Sequence, residues 1–152
     1  MSFEFDCIVA GISCVDLLIG PLDFDQPLNQ EGTWALDTIT PTVGGNVSNS
    51  SIALARLGSR TGALSIAGTD TWGDFLISTL QNEGVDTTRF RQRDTLETSA
   101  TAVLMNDRAA SISLPTSLEQ MMQSTEGYWK RIWTTSPLLN TSSSVTTRCF
   151  HN

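Results

Sequence analysis

The feature that most constrains the fold is the alternation of short apolar runs with helical patterns. Apolar runs occupy residues 5–11 and 61–67, and helical patterns follow them at 45–57 and 72–83. Strands that alternate with helices through short connections indicate βαβ units and a parallel sheet. The sequence therefore predicts an α/β fold with helices flanking a parallel sheet.

Local signals mark the ends of both predicted helices. Asn46 is the predicted N-cap of the first, and Gly58 is placed to end it. Asp70 or Thr71 is the predicted cap of the second, and Gly84 closes it. Short polar side chains at helix starts and glycines at helix ends satisfy backbone groups that have no partner within the helix.

Two further segments, about 17–43 and 87–114, have a strand-like pattern. In the second, 98–105 and 109–114 predict a hairpin with a turn between them. Together with a predicted strand around Trp34, this hairpin would form a small second sheet beside the α/β body.

Composition excludes several classes of function. The net charge is −7 and only nine residues are Lys or Arg, which argues against nucleic acid as a partner. No apolar stretch approaches the roughly 20 residues that span a bilayer, and no basic cluster suggests a membrane surface. Cys7, Cys14 and Cys149 lack metal-ligand spacing, so we expect no metal site, and a cytoplasmic location.

The chain changes character after residue 114. Ser and Thr dominate there, and apolar residues no longer recur with a period. We therefore expect residues 1–114 to form the folded part and 115–152 to be an atypical, poorly ordered tail, especially from Thr134.

Several different short motifs follow one another along the chain. A glycine pair opens the segment 44–58, a Gly-x-Asp-x-x-Gly turn lies within 67–74, and Gly-Val-Asp follows at 84–86. A threonine-rich segment occupies 98–104. Over residues 5 to about 114, this series closely resembles the N-terminal half of the ribokinase-like (PfkB) carbohydrate kinases. The resemblance implies a ribokinase-like sheet with a small β lid.

The resemblance also implies a sugar site. Its substrate-binding residues would be Asp16, Gly44, Gly45, Asn49 and Thr101. The chemistry agrees, because each buried sugar hydroxyl needs a fixed donor or acceptor. A carboxylate just past the first strand would accept from two hydroxyls, paired glycines would let the backbone approach, and an amide would both donate and accept.

Each of these residues also has a purely structural interpretation. Asp16 could cap the turn after the first strand, and the glycine pair could be only a tight turn before a helix. Asn49 could be a surface residue, and Thr101 a residue that favours strands. Both interpretations stay open at the level of sequence.

The catalytic half of the family pattern is not found. Members of this family run to about twice this length, and their C-terminal half carries a Gly-Ala-Gly-Asp motif whose aspartate is the base, together with the site for ATP and Mg²⁺. No Gly-x-Gly-Asp occurs in this chain, so we assign no catalytic residue. We expect that a frame change or truncation has replaced that half.

Two functional classes follow. The first is an ATP-dependent carbohydrate kinase that transfers phosphoryl to a hydroxymethyl group of a sugar or nucleoside. The second is a non-catalytic remnant, or a module for sugar binding or dimerisation through the lid strands. Apart from Asp16 the predicted site residues are uncharged, which favours a neutral sugar over a sugar phosphate.

Overall fold

The structure is a computed structural model that describes residues 5–25, 35–106, 111–116 and 146–149, with only the backbone described at 111–115 and 146–149. Two helices and nine strands occur within these ranges. The strands are β1 (Cys7–Ala10), β2 (Cys14–Gly20), β3 (Thr38–Gly44), β4 (Thr61–Leu64), β5 (Ile66–Gly68), β6 (Arg91–Arg93), β7 (Ala100–Met105), β8 (Ser111–Pro115) and β9 (Thr146–Cys149). The helices are α1 (Gly45–Arg56) and α2 (Thr71–Asn82).

A three-stranded sheet forms the centre of the body. β1 lies between β4, with which it is parallel, and β9, with which it is antiparallel. The β1–β4 pair confirms the parallel βαβ unit that the apolar runs predict. β9 lies inside the segment predicted to be poorly ordered and is a strand that the sequence did not predict; its neighbours in the tail lie outside the described residues.

The core forms where α1 and α2 pack on these strands. Val9 and Ala63 pair directly across β1 and β4, and α2 contributes Leu76 and Leu80, which lie four positions apart on one helix face. Leu57, the residue that follows α1, is 84% exposed. The buried core consists of Val9, Val15, Val47, Ala63, Ala67, Leu76, Leu80, Val85 and Phe90.

A second, four-stranded sheet has the order β3-β2-β7-β8. β2 is antiparallel to β3 and parallel to β7, and β7 and β8 form the predicted antiparallel hairpin. The predicted strand-like segment from about residue 17 overlaps the second half of β2, but the start of this strand at Cys14 was not predicted, because only Gly11 marks a break after the first apolar run. A strand was also predicted around Trp34, but Trp34 itself lies outside the described residues. The next strand that the structure describes, β3, begins at Thr38.

Of the residues predicted at the helix ends, one N-cap is wrong, and the other N-cap and both terminal glycines are confirmed. Asn46 is not the N-cap of α1, since Gly44 takes that position with no side-chain hydrogen bond. Asp70 caps α2 through a hydrogen bond from the Gly73 N–H. Gly58 and Gly84 follow the helix ends with φ of 87° and 79°, the left-handed conformation that glycine adopts without strain.

The predicted strand at 61–67 is divided in two. β4 ends at Leu64 and β5 begins at Ile66, with the fully buried Ser65 between them. The Ser65 hydroxyl donates to the Gly11 carbonyl at 2.8 Å, and its own carbonyl accepts from Arg91 N–H. The break therefore lets β4 pair with β1 and β5 pair with β6.

Within the described ranges, neither helix combines the length and apolar character that crossing a bilayer requires.

Candidate functional site

Asp16 lies in the middle of β2 and at the centre of a polar row across the four-stranded sheet. This corrects the expectation that it follows the first strand, because β1 ends at Ala10 and Asp16 belongs to the next strand. Its direct partners are Thr42 on β3 and Thr101 on β7. Directly paired residues project from the same face of a sheet, so the three side chains form one row.

The two faces of this sheet differ in character. Val15 and Leu17, the sequence neighbours of Asp16, project from the opposite face and contact the core. Asp16 and Thr101 are both half-buried. The polar row therefore lies on the side away from the core cluster, where its side chains remain accessible to a ligand.

Gly44 lies beside Asp16 because Cys14, two residues before Asp16, pairs with it. A Cβ on Gly44 would overlap the Asp16 carboxylate. The φ of Gly44 is −129°, which any residue can adopt. Glycine is required here for space beside the carboxylate and not for backbone conformation.

Gly45 is required for a different reason. Its φ is +84°, and a Cβ there would overlap the carbonyl oxygen of Ile12. The Val47 N–H donates to that same carbonyl at 3.1 Å. The glycine therefore lets the start of α1 cross closely over the turn between β1 and β2.

Asn46 fixes that turn in place. Its Oδ1 accepts from the Ile12 N–H at 3.1 Å, and its Nδ2 donates to the Ala10 carbonyl at 3.5 Å. Both amide groups are used on the backbone around Gly11. The residue therefore has a structural role, as the sequence favoured, although not as a helix cap.

Cys14 is a part of this site that sequence reasoning missed. Its thiol donates to Asp16 Oδ1 at 3.7 Å, a long contact that the wider radius of sulfur allows. Burial, the nearby Asp16 charge and this hydrogen bond together raise the pKa of Cys14 to about 12. The thiol is therefore neutral, and it is a weak donor next to the carboxylate.

Asn49 lies on α1, one turn after Gly45, and is exposed. The structure brings Asp16, Gly44 and Thr101 together and places Gly45 next to them. Convergence of the Asn49 amide on Asp16 stays a prediction. Within the described residues, no group of three His, Cys, Asp or Glu side chains could hold a metal ion.

Thr42 also escaped sequence reasoning. Its only signal is its place in a strand beside the glycine pair, and nothing in the sequence gives the register between β2 and β3. A threonine becomes a candidate ligand only when the pairing shows that it lies directly opposite Asp16.

Comparison with known proteins identifies a family. A family model described as pfkB family carbohydrate kinase matches residues 9–132. The 5-dehydro-2-deoxygluconokinase of Clostridium beijerinckii is 28% identical over 88 residues, which is 58% of this chain and 24% of that protein. The enzyme of the same name from Clostridium tetani is 35% identical over 78 residues, 51% of this chain and 22% of that protein. The match thus spans about a quarter of these relatives.

Solved structures resemble the fold. The fructokinase from Xylella fastidiosa has a TM-score of 0.56 at 25% identity, over 71% of this chain and 31% of that one, and has also been solved with bound ATP. The fructokinase from Halothermothrix orenii has a TM-score of 0.58 at 25% identity, over 71% of this chain and 36% of that one.

Proposed function

The chain belongs to the pfkB family of carbohydrate kinases, and we propose that its described residues form the sugar-binding half of such a kinase. The α/β, ribokinase-like fold class predicted from the sequence is confirmed by its structural neighbours. The observation that carries the proposal is the row of Thr42, Asp16 and Thr101 beside a glycine that leaves space for the carboxylate.

The chemistry of the row suits a polyol. The two carboxylate oxygens of Asp16 accept from two neighbouring hydroxyls, as a sugar diol presents them. Thr42 and Thr101 each donate and accept on either side of the carboxylate. Asn49 would add an amide from α1, while Gly44 leaves space for the Asp16 carboxylate and Gly45 for the Ile12 carbonyl. None of these residues is cationic, so the row favours neutral sugar hydroxyls over a phosphate.

We propose that the four-stranded sheet is the lid over this sugar. The predicted lid segments, about 17–43 and 87–114, contain β3, β7, β8 and most of β2. A sheet with one polar face can close on a ligand and exclude water. On this proposal residues 1–114 form the N-terminal part of the kinase domain and 115–152 the atypical tail.

Phosphoryl transfer to a hydroxymethyl group would require ATP and Mg²⁺. We propose that this site is not formed by the present chain, since its sequence has no Gly-x-Gly-Asp. On this proposal the chain holds the sugar without phosphorylating it. A cytoplasmic location is part of the proposal.

Calorimetry on the 152-residue chain tests sugar binding. The panel contains ribose, fructose, a nucleoside and 5-dehydro-2-deoxygluconate, the last suggested by the names of the relatives. We expect weak binding, with a Kd of about 1 mM, that Asp16→Ala abolishes. Asp37→Ala, an exposed aspartate before β3, is the matched control and should bind as the parent does. Absence of heat with every sugar would overturn the proposal, and ADP release in a coupled assay would overturn its non-catalytic part.

Dimerisation is the second candidate, and one observation favours it. Ile39 lies on β3, at the edge of the four-stranded sheet, and is 62% exposed. Apolar edge strands invite pairing with a second copy. Sedimentation of the parent and of Ile39→Lys tests this, since a dimer that this edge forms should dissociate in the variant. A monomeric parent would reject it.

A further inference from the structure

One carboxylate, that of Asp70, holds together two segments that are distant in sequence. Its Oδ1 accepts from the Gly73 N–H at 2.9 Å in the first turn of α2. Its Oδ2 accepts from the Thr98 N–H at 2.8 Å, 28 residues further along the chain. A helix cap alone needs only the first bond, so the second requires its own explanation.

Thr98 is held from a second direction. It is 4% exposed, and its hydroxyl accepts from the Gly68 N–H at 2.9 Å. Gly68 and Gly73 can approach because neither has a Cβ, which would overlap Asp70 or the backbone at either position. The backbone of Thr98 is thereby fixed to the junction between β5 and α2.

The fixed residue lies two positions before β7, the strand that carries Thr101. β7 begins at Ala100, and the Ser99 carbonyl accepts from Val15 N–H at 2.9 Å as the first link between β7 and β2. Only Ser99 and Ala100 separate Thr98 from Thr101. A shift of Thr98 would therefore move Thr101 relative to Asp16.

The charge on Asp70 suits this arrangement. Partial burial raises its pKa, but the N–H groups of Thr98 and Gly73 more than offset this, and the pKa lies below its usual value. An ionised carboxylate that accepts from two backbone N–H groups forms stronger hydrogen bonds than a neutral acceptor.

We propose that Asp70 is a positioning residue for the sugar site, which anchors the start of β7 to the body so that Thr101 stays beside Asp16. The effect on sugar rests on the proposed function. The anchoring itself does not, because it concerns only how firmly β7 is held.

The substitution Asp70→Ser separates the two bonds. Serine is a good N-cap and keeps an acceptor for the Gly73 N–H, but its single oxygen cannot also serve Thr98. Asp86→Ser is the matched control, since Asp86 accepts from the Thr88 N–H at 2.9 Å within its own turn and not from β7. Amide hydrogen exchange, thermal melting and sugar calorimetry are measured on all three full chains.

In Asp70→Ser we expect the β7 amides to exchange about tenfold faster or more, while the α2 amides keep their protection. Where the parent binds sugar, affinity should fall about tenfold in Asp70→Ser and stay unchanged in Asp86→Ser. Unchanged exchange in β7, or loss confined to α2, would overturn the proposal. If the parent binds no sugar, the proposed function fails and the exchange data alone decide on the anchor.

Discussion

Asp16 and Thr101 lie directly opposite each other on the parallel strands β2 and β7. If the pair contacts a sugar, Thr101→Val should keep the strand intact, because valine is isosteric and favours strands, and should remove only a hydroxyl. We expect sugar affinity to fall about tenfold, the value of one hydrogen bond, and to be lost in Asp16→Asn.

Calorimetry against the same panel provides the measurement. Thr38→Val is the matched control, since Thr38 is exposed and pairs with Gly20 at the far end of β3. Equal losses in both threonine variants would show that the effect comes from the strand and not from the site.

The two adjacent glycines should respond differently to alanine. Gly45→Ala combines an unfavourable φ of +84° with overlap of the Ile12 carbonyl, so we expect a loss of about 3 kcal/mol or more in unfolding free energy. Gly44→Ala has no such backbone conflict, but its Cβ displaces the Asp16 carboxylate. It should lose sugar binding with a smaller loss of stability.

Gly58→Ala is the reference for conformation alone. Gly58 has a φ of +87° and open space around its Cβ position, so alanine there should cost about 1 kcal/mol. Urea unfolding compares the three variants. A Gly45→Ala protein as stable as Gly58→Ala would contradict the close crossing at Ile12.

The sequence predicted those parts of the fold that local patterns encode. The periodicity and glycine ends of α1 and α2 were visible, as was the β7–β8 hairpin. The start of β2 was not, because Gly11 is the only visible break between the first apolar run and Cys14. The register that places Thr42 beside Asp16 depends on tertiary contacts, and no local propensity specifies it.

The candidate site residues also divide into those that a local motif predicts and those that only tertiary contacts reveal. Asp16 and the glycine pair carried a motif, whereas Cys14 had no signal beyond its place next to an apolar run. The Asn46 cap failed because its side chain finds backbone partners across the β1–β2 turn instead of at the helix end. Long-range partners therefore decided the outcome wherever local rules failed.

Two serines on α1 make a matched pair. Both are fully buried, but the Ser51 hydroxyl donates to the Val47 carbonyl at 2.6 Å, whereas the Ser48 hydroxyl has no partner among the described residues. Removing an unsatisfied buried hydroxyl costs nothing, and alanine favours helix. We expect Ser48→Ala to be more stable than Ser51→Ala by about 1 kcal/mol in urea unfolding. The reverse order would show that Ser48 has a partner, such as an ordered water.

Cys14 should resist alkylation. Its pKa of about 12 leaves little thiolate at pH 8, because burial, the charge of Asp16 and their hydrogen bond all favour the neutral thiol. We expect iodoacetamide to label it about a thousandfold more slowly than an unfolded cysteine, and Asp16→Asn to accelerate labelling. Peptide mass spectrometry follows the Cys14 peptide, with the urea-denatured chain as reference. Fast labelling of the folded parent would refute the assigned environment.

The ion pair between Asp6 and Arg60 should make the stability of the fold depend on pH. The Arg60 side chain donates to the Asp6 carboxylate at 2.6 and 3.1 Å, and the Arg60 N–H donates at 2.9 Å. These bonds lower the pKa of Asp6 from 3.8 to about 2. A carboxylate with a lowered pKa stabilises the fold fully above its unfolded pKa and loses that contribution as pH falls through the folded one.

The melting temperature of Asp6→Asn should therefore lie below that of the parent at pH 7, and the gap should close as the pH falls from about 4 to 2. Asp94→Asn, an exposed aspartate after β6, is the control and should match the parent throughout. Because the pair is exposed, added salt should also narrow the gap at pH 7. A gap that persists unchanged at pH 2 would mean that asparagine perturbs the β1 start by a route other than charge.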